Sequence, residues 1–588
     1  MALARVAKSK SVRGPRARFR DVQSFARSAL SAARGLRKRG CNRMSPESPS
    51  PDPPKAPATP SHMLRWVPPV VTALLVAFHM VVAWRLRPPG ITIGNDDALY
   101  VLLSRSIREF KYTDGHLLGA PPHVQYPPGY PALLALVSAA FGESPDHFMF
   151  LGVLCSGLAL LLWYDIARRL WSPWLGLAVV AATAGNPSLV RYAGLVASEA
   201  PYLLVSTISL WLLSRPGGSS FHESLGGAAA ILSAFIRSLG ATLVVAVGLL
   251  WFLRRRFRSA AIFAAVVAVT LGAWFAWTAM SGPRVQGRSY VQDVLASLAE
   301  RDTAAGRIHF YAGRVVSVLT RRVPSVLGVP TVEGTRVDNL VWLLAIIVFG
   351  GAGAWFAWRK QAILPLYAGM VLVLIVCWPY SLTRFLIPVV PLFALLLLAG
   401  MTGLGAYLRP SLARGPAALL TLSLAVTGWI RTAEFARQVA ACERASAERS
   451  PGCYNEDQRS FIAAARFAAD STPAGAVFLT AKEAAFAYFA NRAVLYPGAL
   501  RESASEFLPT LQRLGVGYIV LGRNAGIETG FLASELEGVC DRLVLVAAFP
   551  PRTYLFKHAS DSDPRPGPEA CQAVRAYRDD PSPILPVR

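Results

Sequence analysis

Apolar residues fall along this chain in long unbroken runs, not at the spacing of a half-buried strand or an amphipathic helix. The runs are Trp66 to Trp84, His147 to Tyr164, Trp174 to Pro187, Glu199 to Leu213, Gly226 to Leu253, Ala261 to Ala279, Leu340 to Trp358, Ile363 to Trp378, Phe385 to Leu404 and Ala417 to Ile430. About 20 apolar residues are what an α-helix needs to cross the hydrocarbon core of a bilayer. One such run fits a buried core helix, but so many do not. The stretch from Gly226 to Leu253 carries Arg237 near its middle and basic residues at both flanks. It is either one long helix or a hairpin with Arg237 at its tip, and positive flanks on both sides favour the hairpin. The pattern predicts a polytopic α-helical membrane protein of about eleven transmembrane segments or hairpin arms.

Between and beyond the runs, polarity marks the other parts of the chain. Two long polar loops, 85–147 and 281–338, interrupt the spans. Residues 431–588 read as a small α/β domain, with strands at Ala476 to Thr480, Gly517 to Leu521 and Leu543 to Phe549 and helices at Asp457 to Ala469 and Ala504 to Leu514. Residues 1–62 combine Arg clusters with a Pro/Ser-rich stretch from Ser45 to Pro60. They read as a disordered, basic cytoplasmic tail, or as sequence ahead of a true start at Met44 or Met63.

Composition agrees with the runs. Of 588 residues, 53% are hydrophobic and only 16% charged, outside the range of soluble globular domains. The net charge of +25 would suggest nucleic acid in a soluble protein. Here Lys and Arg gather where runs end: Arg168 and Arg169, Arg215, the cluster from Arg254 to Arg258, Arg359 with Lys360, and Arg409 with Arg414. That is the positive-inside pattern, so the charge is topological and no nucleic-acid partner is expected. It predicts a multi-pass inner or plasma membrane protein whose N-terminus is cytoplasmic. Both long loops, and residues 431–588 as an extracytoplasmic domain, then lie on the outer side. An outer location permits disulfides, and of the three pairings open to Cys442, Cys453, Cys540 and Cys571 the preferred one is Cys442–Cys453 with Cys540–Cys571.

Candidate chemistry concentrates in the first loop. It opens Ile93-Gly94-Asn95-Asp96-Asp97-Ala98-Leu99-Tyr100. From Asp97 to Phe110, Leu99, Leu102, Leu103, Ile107 and Phe110 share one face, predicting an interfacial amphipathic helix whose N-terminus bears the acidic pair. One Asp can cap this helix; the other then needs a role. Gln125-Tyr126-Pro127-Pro128-Gly129-Tyr130-Pro131 comes next, a turn leading into a second interfacial helix. Within the apolar runs stand Glu199 (Ser198-Glu199-Ala200-Pro201-Tyr202), Arg237 (Ile236-Arg237-Ser238-Leu239-Gly240) and Arg384 (Arg384-Phe385-Leu386-Ile387-Pro388, with Pro391). Charges inside a membrane are costly, and mark function or internal ion pairing. His116 and His123 share the first loop without a third residue at metal-ligand spacing, so no metal site is read.

The order and spacing of these elements resemble the GT-C superfamily of membrane glycosyltransferases, in particular bacterial members related to the lipid A aminoarabinose transferase and the protein O-mannosyltransferases. The resemblance runs from about Trp66 to Lys557 and includes the Gly515-Val516-Gly517-Tyr518-Ile519-Val520-Leu521 strand. It implies a GT-C-like catalytic domain over 63–430 and a polyprenyl-phosphate sugar donor among the membrane lipids. The acceptor is then a glycan, lipid or protein. Some members use a divalent cation, on which this sequence is silent. One position departs: the family pattern has a Lys before its Pro-Pro pair, and here Tyr126 stands there.

The mechanism so implied is a single displacement. Asp97, or else Asp96, is the general base; Arg237 and Arg384 hold the donor phosphate; Glu199 and Tyr126 help bind substrate. The loop 281–338 closes over the site. The rival reading is a polytopic transporter or lipid flippase, which accounts for Glu199, Arg237 and Arg384 but leaves the acidic pair and the outer domain without a task.

Overall fold

The computed structural model describes residues 62–94, 96–281, 304–329, 336–378, 383–408, 415–445, 453–498, 500, 506–522, 527–558 and 567–579. The expected tail, apart from His62, lies outside these, as does about half of the expected lid (282–303 and 330–335). What is described of that lid is not a polar loop. Ala304–Ser317 is helical, and Val318–Arg322 and Val323–Val326 continue it.

Five described helices are long and apolar enough to cross a membrane: Arg65–Arg85, Pro145–Leu170, Phe257–Met280, Leu340–Lys360 and Thr383–Leu408. Gly129–Phe141, Pro173–Ala184, Glu199–Leu213, Ser238–Leu253 and Ile363–Cys377 are apolar but shorter. Length and composition thus identify five full crossings among the described residues, and the expected count of about eleven segments or hairpin arms is not shown by them. Breaks at Gly185-Asn186 and around Arg237 bound two of the short pieces, Pro173–Ala184 and Ser238–Leu253. Asn186 caps Pro187–Ala193 by accepting from the Ser188 and Leu189 N–H groups, and its amide donates to Val326 O at 2.7 Å, tying the Val323–Val326 segment to the bundle.

The stretch from Gly226 to Leu253 is a hairpin. Ser220–Ile236 and Ala241–Leu253 pack on one another, joined by a tight turn at Ser238–Gly240 with Arg237 at its start. A side chain at Gly240 would run into the backbone of Ser233 and Ala234, so the turn needs glycine. Ends rich in Arg and Lys meet on one face. Lys360 donates to Leu170 O, Arg254 to Gln361 Oε1 at 3.3 Å and Arg256 to Glu223, while Arg169 and Arg215 stack on Trp211.

Leu340–Lys360 and Thr383–Leu408 cross at Gly353 and Gly400. A Cβ on Gly353 would fall inside Leu396 O, and one on Gly400 inside Phe349 O. Close approach of this kind is how helices associate where no hydrophobic force separates lipid from protein. Gly400→Leu is expected to destabilise the detergent-solubilised protein by about 1–3 kcal/mol through overpacking. Gly369→Leu, at a position with nothing within 4 Å of its added Cβ, is expected to leave the melting temperature unchanged.

The last bundle helix, Gly415–Ala445, runs beyond Ile430, and the sheet domain begins with Glu456–Ser471, started by an Asn455/Gln458 capping box. The strands are β1 (Val477–Thr480), β2 (Ala493–Leu495), β3 (Val516–Gly522), β4 (Leu543–Phe549) and β5 (Thr553–His558), in the order β2-β1-β3-β5-β4. β1 pairs in parallel with β2 and β3; β5 is antiparallel to β3 and β4. The disulfides are Cys442–Cys453 and Cys540–Cys571, the preferred pairing.

The free edge of β2 is covered by the first loop. Leu118 N–H donates to Val494 O and Val494 N–H to His116 O, both at 2.9 Å. The Glu483–Ala490 helix packs on Asp96–Arg108, and Tyr454 Oη donates to Ile91 O at 2.9 Å. The expected interfacial helix is thus covered by the sheet domain, and Ala98, Leu99, Tyr100, Val101 and Leu103 are all buried. It ends at Arg108, which leaves Phe110, expected on its apolar face, fully exposed in a left-handed conformation.

Candidate active site

The site forms where four elements end together: the N-termini of Asp96–Arg108 and Glu199–Leu213, the break before Ser238, and the turn beginning at Thr383. Glu199 is 1% exposed and accepts from two cations. Arg384 grips it through Nε and, at 3.2 Å, Nη2; Arg237 Nη1 lies 3.1 Å from the same carboxylate. The third nitrogen of Arg384, Nη1, binds Asp96 Oδ2. Asp96 Oδ1 accepts the Tyr126 hydroxyl at 2.9 Å. Arg237 Nη1 also donates to Ser198 Oγ at 2.7 Å, and Tyr100 Oη lies 3.2 Å from the same hydroxyl. Arg237 faces the Phe385 ring and Arg384 the Tyr192 ring.

Five of the six expected residues are therefore in one network: Asp96, Tyr126, Glu199, Arg237 and Arg384. Two carboxylates offset two guanidiniums, as buried charges require. The internal ion pair set against a binding role for the arginines is observed, and Glu199 is its centre. Yet the pairing is incomplete. Arg237 Nε is buried with no hydrogen-bond partner among the described residues, and about a quarter of the Arg384 and a third of the Asp96 side-chain surface stays accessible. A small cavity lined by Tyr192, Glu199, Ala200, Ile387 and Pro388 adjoins them.

Asp97, the first choice for the base, is engaged elsewhere. Its Oδ2 accepts the Thr92 N–H at 2.5 Å, while Oδ1 is buried without a hydrogen-bond partner among the described residues. Successive helical residues point about 100° apart, so the helix that turns Asp96 into the cluster turns Asp97 out of it. Burial pushes the Asp97 carboxyl up to about 6, against the pull of its Thr92 hydrogen bonds. Burial pushes Asp96 the same way, but Arg384 and the Tyr126 hydroxyl outweigh it and hold that carboxyl below the usual range.

Sequence reasoning missed Ser198 and Tyr100, though both stood inside the motifs that pointed to their neighbours. It also set His123 aside for failing as a metal ligand. In the structure His123 is 2% exposed and joins Asp114 to Tyr126. Among the described residues no three His, Cys, Asp or Glu gather in a way that would hold a metal ion.

No family model and no curated protein matches the sequence. Solved structures do match by fold. ArnT from Cupriavidus metallidurans bound to undecaprenyl phosphate superposes with a TM-score of 0.51 at 14% identity, over 84% of this chain and 98% of that one. The apo oligosaccharyltransferase of Archaeoglobus fulgidus gives 0.51 at 13% identity, over 86% and 76%. The same enzyme tethered to an acceptor peptide gives 0.50 at 12%, over 87% and 78%. The chain has the GT-C fold of these glycosyltransferases.

Proposed function

We propose that this membrane protein is a glycosyltransferase that moves a sugar from a polyprenyl-phosphate donor to an extracytoplasmic acceptor. The observation that carries this reading is the buried Asp96–Arg384–Glu199–Arg237 cluster, in which Arg237 Nε meets no acceptor among the described residues. A buried guanidinium favours an anion for its remaining donors, and a phosphate at the membrane boundary supplies one. The lipid-phosphate of the ArnT complex and the acceptor peptide of the oligosaccharyltransferase support the same two classes of partner.

In this reading the acceptor hydroxyl oxygen attacks the anomeric carbon. The bond from that carbon to the phosphate oxygen breaks, and the phosphate leaves on its lipid with the electron pair. The acceptor's proton passes to Asp96. Arg384 and Arg237 stabilise the charge growing on the phosphate, the kind of preorganised electrostatics that lowers barriers most. Glu199 holds both guanidiniums in place from its buried position. Tyr126, at the site of the family's Lys, binds no phosphate in this scheme; its hydroxyl orients Asp96. One displacement inverts the anomeric centre.

The positive-inside flanks support an orientation with 1–62 cytoplasmic and the sheet domain outside. They also support a catalytic unit over 63–430 with an outer domain from 431 to 588, the shorter helices serving as half-spans among about eleven arms. The sugar is a pentose or hexose, and the acceptor a glycan, lipid or protein.

Protein in nanodiscs is expected to be stabilised by undecaprenyl phosphate, by about 2.7 kcal/mol at a hundredfold excess over Kd. It is also expected to release that lipid from at least one member of a panel of undecaprenyl-phosphate-linked pentoses and hexoses. Absence of both effects, together with solute uptake by proteoliposomes, would replace the transferase with a transporter.

A further inference from the structure

The polar groups of the loop between Tyr112 and Tyr126 form a continuous chain that ends on the proposed base. His123 Nδ1 lies 2.8 Å from Asp114 Oδ1, and its Nε2 accepts the Tyr126 N–H at 2.8 Å. A nitrogen that accepts a backbone N–H carries no proton, so the proton sits on Nδ1 and is donated to Asp114. The Tyr126 carbonyl is held from the other side by the Tyr112 hydroxyl at 2.8 Å. His123 is itself fixed twice through its backbone: its N–H donates to Tyr112 O at 3.0 Å, and its carbonyl accepts Trp277 Nε1 at 3.1 Å. Both backbone polar groups of Tyr126 are thus bound by side chains of one loop, with Pro127 and Pro128 stiffening the chain just beyond it. The Tyr126 ring, so held, packs on Tyr100 at 5.0 Å and sends its hydroxyl to Asp96.

A buried histidine satisfied on both nitrogens is ordinarily a packing residue. This one differs in what it holds: the backbone of the residue whose hydroxyl meets Asp96. We propose that Asp114 and His123 are positioning residues for the transfer reaction: they lock the Tyr126 backbone so that its hydroxyl fixes the Asp96 carboxylate against the acceptor. The proposal rests on the reading of Asp96 as base. His123 acts through Tyr126 and touches neither donor nor acceptor, so its loss lowers turnover without weakening donor binding.

The test is a double-mutant cycle in nanodisc-reconstituted full-length protein, monitoring release of undecaprenyl phosphate from the donor that the panel identifies. His123→Leu is expected to lower kcat about tenfold while changing the donor KM less than about twofold. Tyr126→Phe is expected to lower kcat by a similar factor. In the Tyr126→Phe background, His123→Leu is expected to cause less than about a twofold further loss, because the hydroxyl it served is gone. His123→Gln, whose amide oxygen reaches the place of Nε2, is expected to stay within about threefold of wild type. This variant supplies the measurement should the Leu variant fail to fold.

An equal tenfold loss in both Tyr126 backgrounds would show a folding role only and overturn the proposal. A separate arm needs no substrate. In 15N-histidine-labelled protein, the resonances lost in His123→Gln should be those of a neutral ring protonated at Nδ1, and a ring protonated at Nε2 overturns the chain directly. Failure of the underlying reading looks different: Asp96→Asn would retain transfer within about tenfold of wild type.

Discussion

Asp96→Asn is expected to reduce sugar transfer at least a hundredfold, within the range of roughly 100- to 10,000-fold that a positioned general base contributes. The change is nearly isosteric. An amide at this position keeps the Tyr126 hydroxyl bond and part of the Arg384 contact, so folding and lipid binding should survive. Asp97→Asn is the internal comparison, because its amide oxygen still accepts the Thr92 N–H; transfer should stay within about threefold of wild type. The pH profile separates the two carboxylates again. The acid limb of kcat/KM reports the free enzyme's base. Asp96 is held below the ordinary carboxylate range, so the limb should lie below about pH 4; a limb near 6 would name Asp97 instead.

Stability should move the opposite way. With its pKa raised on folding, Asp97 contributes stability that is complete below the unfolded value near 4 and lost as pH rises through about 6. Asp97→Asn is therefore expected to melt higher than wild type above pH 6, and a lower melting point there would contradict the buried placement of this carboxyl.

That the two acids divide this way was not legible in the sequence. Adjacent residues at a helix start differ only in phase, and phase depends on where the first turn begins. The spans were legible because hydrocarbon tolerates little else than apolar helix. Glu199, Arg237 and Arg384 were legible as isolated charges in such runs, each too costly to be incidental. Their convergence came from motif order, since residues 185 positions apart in the chain leave no local mark of contact.

The seating of the sheet domain was less accessible still. β2 has three residues, too few for alternation to register, and its partner at His116–Leu118 lies in a loop rich in Gly and Pro. Only the fold reveals that the helix carrying the acids is roofed by the C-terminal domain. That contact gives the domain a task, because Tyr454 and the Glu483–Ala490 helix hold the segment on which Asp96 stands.

Arg384 should be the most demanding position in the molecule. Its three nitrogens serve two carboxylates from different elements, so Arg384→Ala leaves Asp96 and Glu199 facing one another with Arg237 alone to offset them. Removing one partner of a buried pair costs about 3–5 kcal/mol, enough to lower the melting temperature visibly, and stabilisation by undecaprenyl phosphate should vanish with it. Arg384→Lys restores charge but not the planar fork that spans both acids, so it should recover stability in part and turnover little.

Charge balance and chemistry separate in a double variant. Arg384→Met with Glu199→Gln removes one charge of each sign and leaves Asp96 with Arg237. Apolar or neutral replacement of a whole buried pair is often neutral for stability, so this protein should melt near wild type. It should nonetheless fail to transfer sugar, since nothing in the pair's place stabilises the departing phosphate. Should the double variant both fold and turn over at the wild-type rate, the arginine would be a structural counter-ion alone, and the donor phosphate would have to be sought elsewhere on the membrane-facing surface.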